Sequence, residues 1–150
     1  MMTYNKITPA VLQDIKNIVQ GEVFTQTEDL ICFSYDALNQ KFLPEAVAFA
    51  RTAGQVSELL RLANQHLFPI IPRGSGSGFT GGSVPVKGGL VLSLTRMNSI
   101  IAIDTDNLVA EVEPGVITAE LQNAVEKLGL FYPPDPASLK FSTLGGNVAE

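Results

Sequence analysis

Apolar residues recur at helical spacing over residues 9–19, where Val11, Leu12, Ile15, Ile18 and Val19 share one face. Thr8 suits the N-cap, Pro9 the first helical position, and Gly21 follows the end. Ala46 to Ala50, bounded by Pro44 and Arg51, reads as a short buried strand. A second helix is expected from Gly54 to His66 with Val56, Leu59, Leu60 and Ala63 inward. Strands follow at Phe68–Ile71 and Leu90–Leu94, so strand, helix and strand predict a right-handed parallel crossover. Ile100–Ile103 and Leu108–Val112 flank the turn Asp104-Thr105-Asp106-Asn107, which is a hairpin signal. Pro114-Gly115 breaks that pattern, Thr118 can cap a helix carrying Leu121, Val125 and Leu128, and Gly129 closes it. The pattern predicts an α+β chain in two small lobes, a parallel βαβ lobe over about residues 1–98 and the start of a second over about 99–150.

Composition narrows the chemistry. The 150 residues are 45% hydrophobic and 17% charged, enough apolar material for a core without metal or disulfide staples. A net charge of −5 with no Lys/Arg cluster argues against nucleic acid as a partner. The single cysteine, Cys32, excludes a disulfide framework, and the single histidine, His66, leaves little for a zinc site or a Ser-His-Asp triad. No metal site is expected. The N-terminus lacks the apolar region of a secretory signal, and no apolar stretch approaches the ~18 residues of a membrane span. The expected location is cytoplasmic, with peripheral membrane association left open. The sequence stops within Gly145-Gly146-Asn147-Val148-Ala149-Glu150 with no sign of a natural terminus, so a truncated chain is expected.

Seven of the 13 glycines lie between Gly74 and Gly89. In Pro72-Arg73-Gly74-Ser75-Gly76-Ser77-Gly78-Phe79-Thr80-Gly81-Gly82-Ser83, alternating Gly and Ser lets backbone N–H groups converge on one side with no Cβ in the way. Such a nest suits a phosphate or pyrophosphate, with Arg73 nearby for residual charge. A P-loop is excluded, because no Gly-Lys-[Ser/Thr] occurs. Gly76 to Gly81 fits Gly-x-Gly-x-x-Gly, but Gly82-Ser83-Val84-Pro85 cannot open the helix that a Rossmann site needs. A helix-free phosphate loop and a flexible surface linker are left. Tyr132-Pro133-Pro134-Asp135-Pro136-Ala137-Ser138 is stiffened by three prolines. Thr143-Leu144-Gly145-Gly146-Asn147 adds two glycines for close backbone approach. Each loop alone reads as a rigid turn; together with the Ser/Gly loop they read as a clamp for one large polar ligand.

These three motifs together resemble the FAD-linked oxidases of the vanillyl-alcohol oxidase superfamily, most closely the glycolate oxidase and D-lactate dehydrogenase branch. The resemblance runs from Tyr35-Asp36 to Glu150. It implies the N-terminal part of a two-lobed FAD-binding domain of the PCMH type, with FAD between the lobes. It implies that Arg73, Gly74, Ser75, Gly76, Ser77, Gly78, Gly81 and Gly82 wrap the pyrophosphate, with Pro72 also counted in the cofactor site. It assigns Asp135, Pro136, Ser138, Thr143, Gly145, Gly146 and Asn147 to the rest of the dinucleotide. Ser77 stands about where covalently flavinylated relatives carry a histidine, so non-covalent FAD is expected, and Ala137 replaces a common serine. The implied reaction of the intact enzyme is oxidation of a small 2-hydroxy acid, with hydride passing to the flavin. Partner redox subunits are compatible with it. The family's substrate domain has no counterpart here, so no catalytic residue is assigned and the fragment is expected to be inactive alone. Two alternatives are a remnant that binds FAD weakly or not at all and a redox-inactive nucleotide-binding module.

Other residues read as structural. His66 ends a helix and suits its dipole, Cys32 reads as a small core residue, and Glu111 and Glu113 read as a solvated strand face. Asp104 and Asp106 are turn formers, and Asp36 is either structural or part of the active-site rim.

Overall fold

The computed structural model describes residues 4–149. The first helix, α1 (Pro9–Val19), begins where Thr8 accepts a hydrogen bond from the Val11 N–H and ends at Gln20, whose left-handed backbone turns the chain. Two elements without a strong local signature follow, β1 (Val23–Phe24) and α2 (Thr27–Ile31). Strand β2 (Ala46–Phe49) and helix α3 (Ala53–His66), capped by Thr52, lead into β3 (Ile70–Arg73). This strand starts two residues later than the sequence pattern predicts, because Leu67 adopts a left-handed backbone and Phe68 is buried at the joint. Strand β4 (Leu90–Ser93) completes a sheet of order β1-β2-β4-β3, with β2 and β3 both parallel to β4. The predicted parallel unit is present, but β4 is inserted between its two strands.

Alternation along β2 and β4 covers both faces of the sheet. Ala46, Ala48, Leu90 and Leu92 pack against α1 and α3, where Ile15, Val19, Leu59 and Ala63 meet them. Val47 and Val91 face the other way onto Leu30 of α2, joined by Phe33, Phe49 and Ile71. Burial of side chains such as Leu90 and Leu92 stabilises by roughly 1.5–3 kcal/mol each. Leu60, expected inward, is exposed: its neighbour Leu59 takes the core position, and one residue along a helix turns the side chain by about 100°. Cys32, expected in the core, is also exposed, because α2 inserts Leu30 and leaves Ile31 and Cys32 outside.

The second lobe starts with the hairpin β5 (Ile100–Asp104) and β6 (Val109–Val112). Leu108 belongs to the turn rather than the strand, with φ of 58°. Ile117 holds the N-cap position of helix α4 (Thr118–Glu126) without a side-chain capping bond, and Thr118 is the helix's buried first residue rather than the cap. Leu128 lies past its end and is exposed. The last element is α5 (Leu144–Ala149). Val116, Leu121, Val125 and Leu144 form the core, against Ile100, Ile103, Ala110 and Val112 of the hairpin.

Candidate functional site

Parallel neighbours need a connection that returns from the end of one strand to the start of the next, and a helix usually supplies it. Between β3 and β4 residues 74–89 do this with no helix. The glycine-rich segment therefore leaves the carboxyl end of β3, and its first turn lines a cleft of about 560 Å³ between the lobes. Among the described residues, the backbone N–H groups of Gly74, Ser75, Gly76, Ser77 and Gly78 have no protein acceptor. Unpartnered backbone donors along a concave wall are a site for a polyanion.

Arg73 lies beneath this wall. It is 6% exposed, and its Nη2 donates to the Tyr35 carbonyl at 2.8 Å. Nη1 reaches the carbonyl and hydroxyl oxygens of Ser83, both at 3.3 Å, and the guanidinium covers the Phe33 ring. A Cβ on Gly76 would come within 2.1 Å of Nη2, and Gly76 has φ of +70°, so only glycine fits over the guanidinium. Arg73 thus lies behind one layer of peptide and acts on the cleft through its field rather than as an exposed phosphate ligand. Burial pulls its pKa down from the ordinary arginine value, while nearby Asp36 and then Tyr35 oppose that shift.

The second lobe supplies the facing wall, which includes Pro114, Ser138, Ser142, Thr143, Gly145 and Asn147. The two walls touch. A Cβ on Gly74 would lie 2.2 Å from Thr143 Oγ1; within the second lobe itself, one on Gly145 would lie 2.7 Å from Pro114 Cβ. The Ser75 hydroxyl donates to the Phe141 carbonyl. Unlike the Ser/Gly loop, the first turn of α5 is internally bonded: Leu144 N–H donates to the Val116 carbonyl, Gly145 N–H to that of Pro114 and Gly146 N–H to Thr143 Oγ1. Asn147 Nδ2 donates to Thr118 Oγ1 at 2.6 Å, and Thr118 is hydrogen-bonded to Ser142. Gly145 and Gly146 therefore provide room rather than donors.

The cleft brings together Pro72, Arg73, Gly74, Ser75, Gly76, Ser77, Gly78, Gly82, Ser138, Thr143, Gly145, Gly146 and Asn147. Gly81, Asp135 and Pro136 lie outside its lining; Gly81 N–H is bonded to the Asp36 carboxylate, and the proline loop is tied down by Gln122, which donates to the Pro134 carbonyl at 2.9 Å. The sequence reading missed Ser83, Leu94, Pro114, Ser142 and Ala149. Pro114 and Ser142 had a local signal, the turn and the motif they adjoin, whereas Leu94 had none. His66, Glu111 and Asp104 lie outside the cleft lining, and Glu113 accepts from the Ser99 N–H at 2.8 Å. No cluster of His, Cys, Asp or Glu suited to a metal occurs among the described residues. A second groove of about 530 Å³ lies in the second lobe and is lined by apolar side chains such as Leu121, Leu130 and Phe131. It lacks the donors a polar dinucleotide requires.

Residues 44–150 match the family model described as an FAD binding domain. The chain is 50% identical to glycolate oxidase subunit GlcD of Bacillus subtilis (strain 168), over 80% of this chain and 26% of that protein. It is 38% identical to D-lactate dehydrogenase of Anaerostipes hadrus, over 97% of this chain and 31% of that protein. Among solved structures it resembles alkyldihydroxyacetonephosphate synthase with a TM-score of 0.85 at 24% identity, over 99% of this chain and 30% of that one. It also resembles p-cresol methylhydroxylase with substrate bound, with a TM-score of 0.79 at 26% identity, over 91% and 28%. The chain thus spans a quarter to a third of the length of the relatives it matches. The structure accords with the cofactor of that family: a row of open N–H donors alternating between glycine and serine, with a buried cation beside it, suits a diphosphate bridge. From the match over more than half its length and the fold it shares with these proteins, the chain belongs to the FAD-binding domains of the vanillyl-alcohol oxidase type.

Proposed function

We propose that this chain is the diphosphate-gripping part of the FAD domain of a flavin-dependent dehydrogenase that oxidises a small 2-hydroxy acid. The observation that carries the reading is the row of open N–H groups from Gly74 to Gly78, facing a second wall across the cleft. These donors would bind the diphosphate, and Arg73 would lower the cost of bringing its negative charge into the cleft. Ser138, Gly145 and Asn147 would line the path of the rest of the dinucleotide. Bound flavin supplies the redox chemistry as acceptor of a hydride from the substrate carbon. Ser77, which cannot form the histidyl link of covalently flavinylated relatives, lines the cleft, and we expect FAD to be held non-covalently.

The substrate class rests on the relatives: glycolate, D-lactate and D-2-hydroxyglutarate, named in three of them, are all 2-hydroxy acids. The name of the first, a subunit, supports redox partner chains for the intact enzyme, which we place in the cytoplasm. A second reading is favoured by one feature: among the described residues, Arg73 is the one titratable side chain in the cleft lining, which suits a stretch that binds FAD and leaves substrate turnover to other residues. Calorimetric titration with FAD, ADP and riboflavin tests the binding mode. FAD and ADP, which share the diphosphate, are expected to bind well ahead of riboflavin, and heat or acid should release all flavin from the holoprotein. Equal affinity for riboflavin and FAD would refute a diphosphate grip.

A further inference from the structure

Asp36 lies outside the cleft lining and is assigned no role above, yet it is 4% exposed and both of its carboxylate oxygens are engaged. Oδ1 accepts from its own neighbour, the Leu38 N–H, at 2.9 Å, and Oδ2 accepts from the Gly81 N–H, also at 2.9 Å, across 45 residues. The segment around it adds two more ties to the same loop. Ala37 N–H donates to the Gly78 carbonyl at 3.1 Å, and the Tyr35 carbonyl accepts from Arg73 Nη2. Three successive residues thus grip the Ser/Gly loop at its start, through Arg73, at Gly78 and at Gly81. The open donors of Gly74 to Gly78 lie inside these bonds, and none of their N–H groups contributes to the grip.

We propose that Tyr35-Asp36-Ala37 is a brace that holds the donor loop in its ligand-ready shape, and that Asp36 is a positioning residue for the diphosphate. The physical need is entropic. A run of glycines and serines explores many conformations, and converging N–H groups bind a polyanion tightly only if they converge before it arrives. Strand β3 orders one end of the loop, but Gly78 to Gly81 lie beyond any strand or helix and depend on contacts from elsewhere in the chain. A carboxylate is suited to this, since it takes two N–H groups at once, and the Arg73 guanidinium nearby offsets its burial. It touches the loop only from behind and leaves the cleft wall free.

This inference rests on the proposed FAD-binding role, and its test separates the two. Hydrogen exchange of the Leu38 and Gly81 amides in the ligand-free chain needs no FAD. The brace predicts that both are protected and to a similar degree, while Ser75 to Ser77 exchange freely. The Asp36→Asn variant keeps the size but offers one carbonyl oxygen where two acceptors are needed. Its Gly81 amide should exchange at least about tenfold faster, and FAD and ADP should each bind about ten- to a hundredfold more weakly. The ligand-free chain should lose some stability with the buried acceptor, so affinities are compared where both chains are folded; a general loss of packing would speed exchange at core amides such as Leu59 and Leu90 as well as at Gly81. Asp14→Asn, the same change on the exposed face of α1, should leave exchange and binding as they are. Unprotected Gly81 in the wild-type chain, or Asp36→Asn binding FAD within twofold of wild type, overturns the brace. If Asp36→Asn does not fold, the wild-type exchange pattern decides. If the wild-type chain ignores FAD and ADP, the proposed function falls, and the brace is judged on exchange alone.

Discussion

Replacing Gly74 by alanine tests whether the two lobes meet as closely as the site requires. The added Cβ would lie 2.2 Å from Thr143 Oγ1 and 3.3 Å from Thr143 Cβ and Cγ2. Thr143 has little freedom to retreat. It is 3% exposed, branched at Cβ, paired with Ile117 in a β-bridge, and its hydroxyl accepts from the Gly146 N–H. The lobes must therefore separate slightly or Thr143 must leave its rotamer, which costs about 1–3 kcal/mol. Thr143→Ala alone loses the hydroxyl contact, at about 0.5–1.5 kcal/mol. It also removes the atom in closest conflict, so the double variant should be about 1–2 kcal/mol more stable than the sum of the single effects. Equilibrium urea unfolding followed by circular dichroism, with an unchanged slope in all four proteins, measures this coupling. FAD affinity should fall in Gly74→Ala and recover in part in the double variant. Stability effects that add to within about 0.3–0.5 kcal/mol would mean that the walls do not touch, and the reasoning would be wrong.

Further predictions concern the scaffold. Gly89→Ala places a Cβ 2.3 Å from the Pro69 carbonyl oxygen, which is backbone and cannot swing away, so a loss of about 3 kcal/mol or more in the melting transition is expected; a near-native melt contradicts it. Thr118→Val leaves Asn147 Nδ2 and the Ser142 hydroxyl without a buried partner and should cost about 1–3 kcal/mol in denaturant unfolding, whereas an unchanged midpoint would show that the three side chains are not linked. The Asp104 carboxyl should titrate below the ordinary aspartate range, first because the Asn107 side-chain amide donates to it and then because the Asn107 backbone N–H does. A depressed carboxylate favours the folded turn above its unfolded pKa, and that contribution is lost as acid carries the pH down through the folded value. Asn107→Ala should raise the midpoint measured by nuclear magnetic resonance, and a midpoint that stays put refutes the assignment.

What the sequence determined by itself is local. Thr8, Pro9 and Gly21 bracket α1 because caps and backbone preferences act within a few residues. Asp104 makes its turn because its carboxylate reaches the N–H groups of Asp106 and Asn107 two and three positions on. The Ser/Gly loop announces open donors for a related reason, since glycine and serine cannot cover their own backbone. Long-range placement belongs to the tertiary structure. No local pattern says that β4 enters between β2 and β3, that Leu59 rather than Leu60 faces the sheet, or that Cys32 stays outside. Nor does any say that Arg73 turns under its own loop, or that Asp36 bonds to Gly81. Those outcomes depend on which distant surfaces fill each other's space and which buried polar groups find partners, and both are settled only when the chain closes on itself.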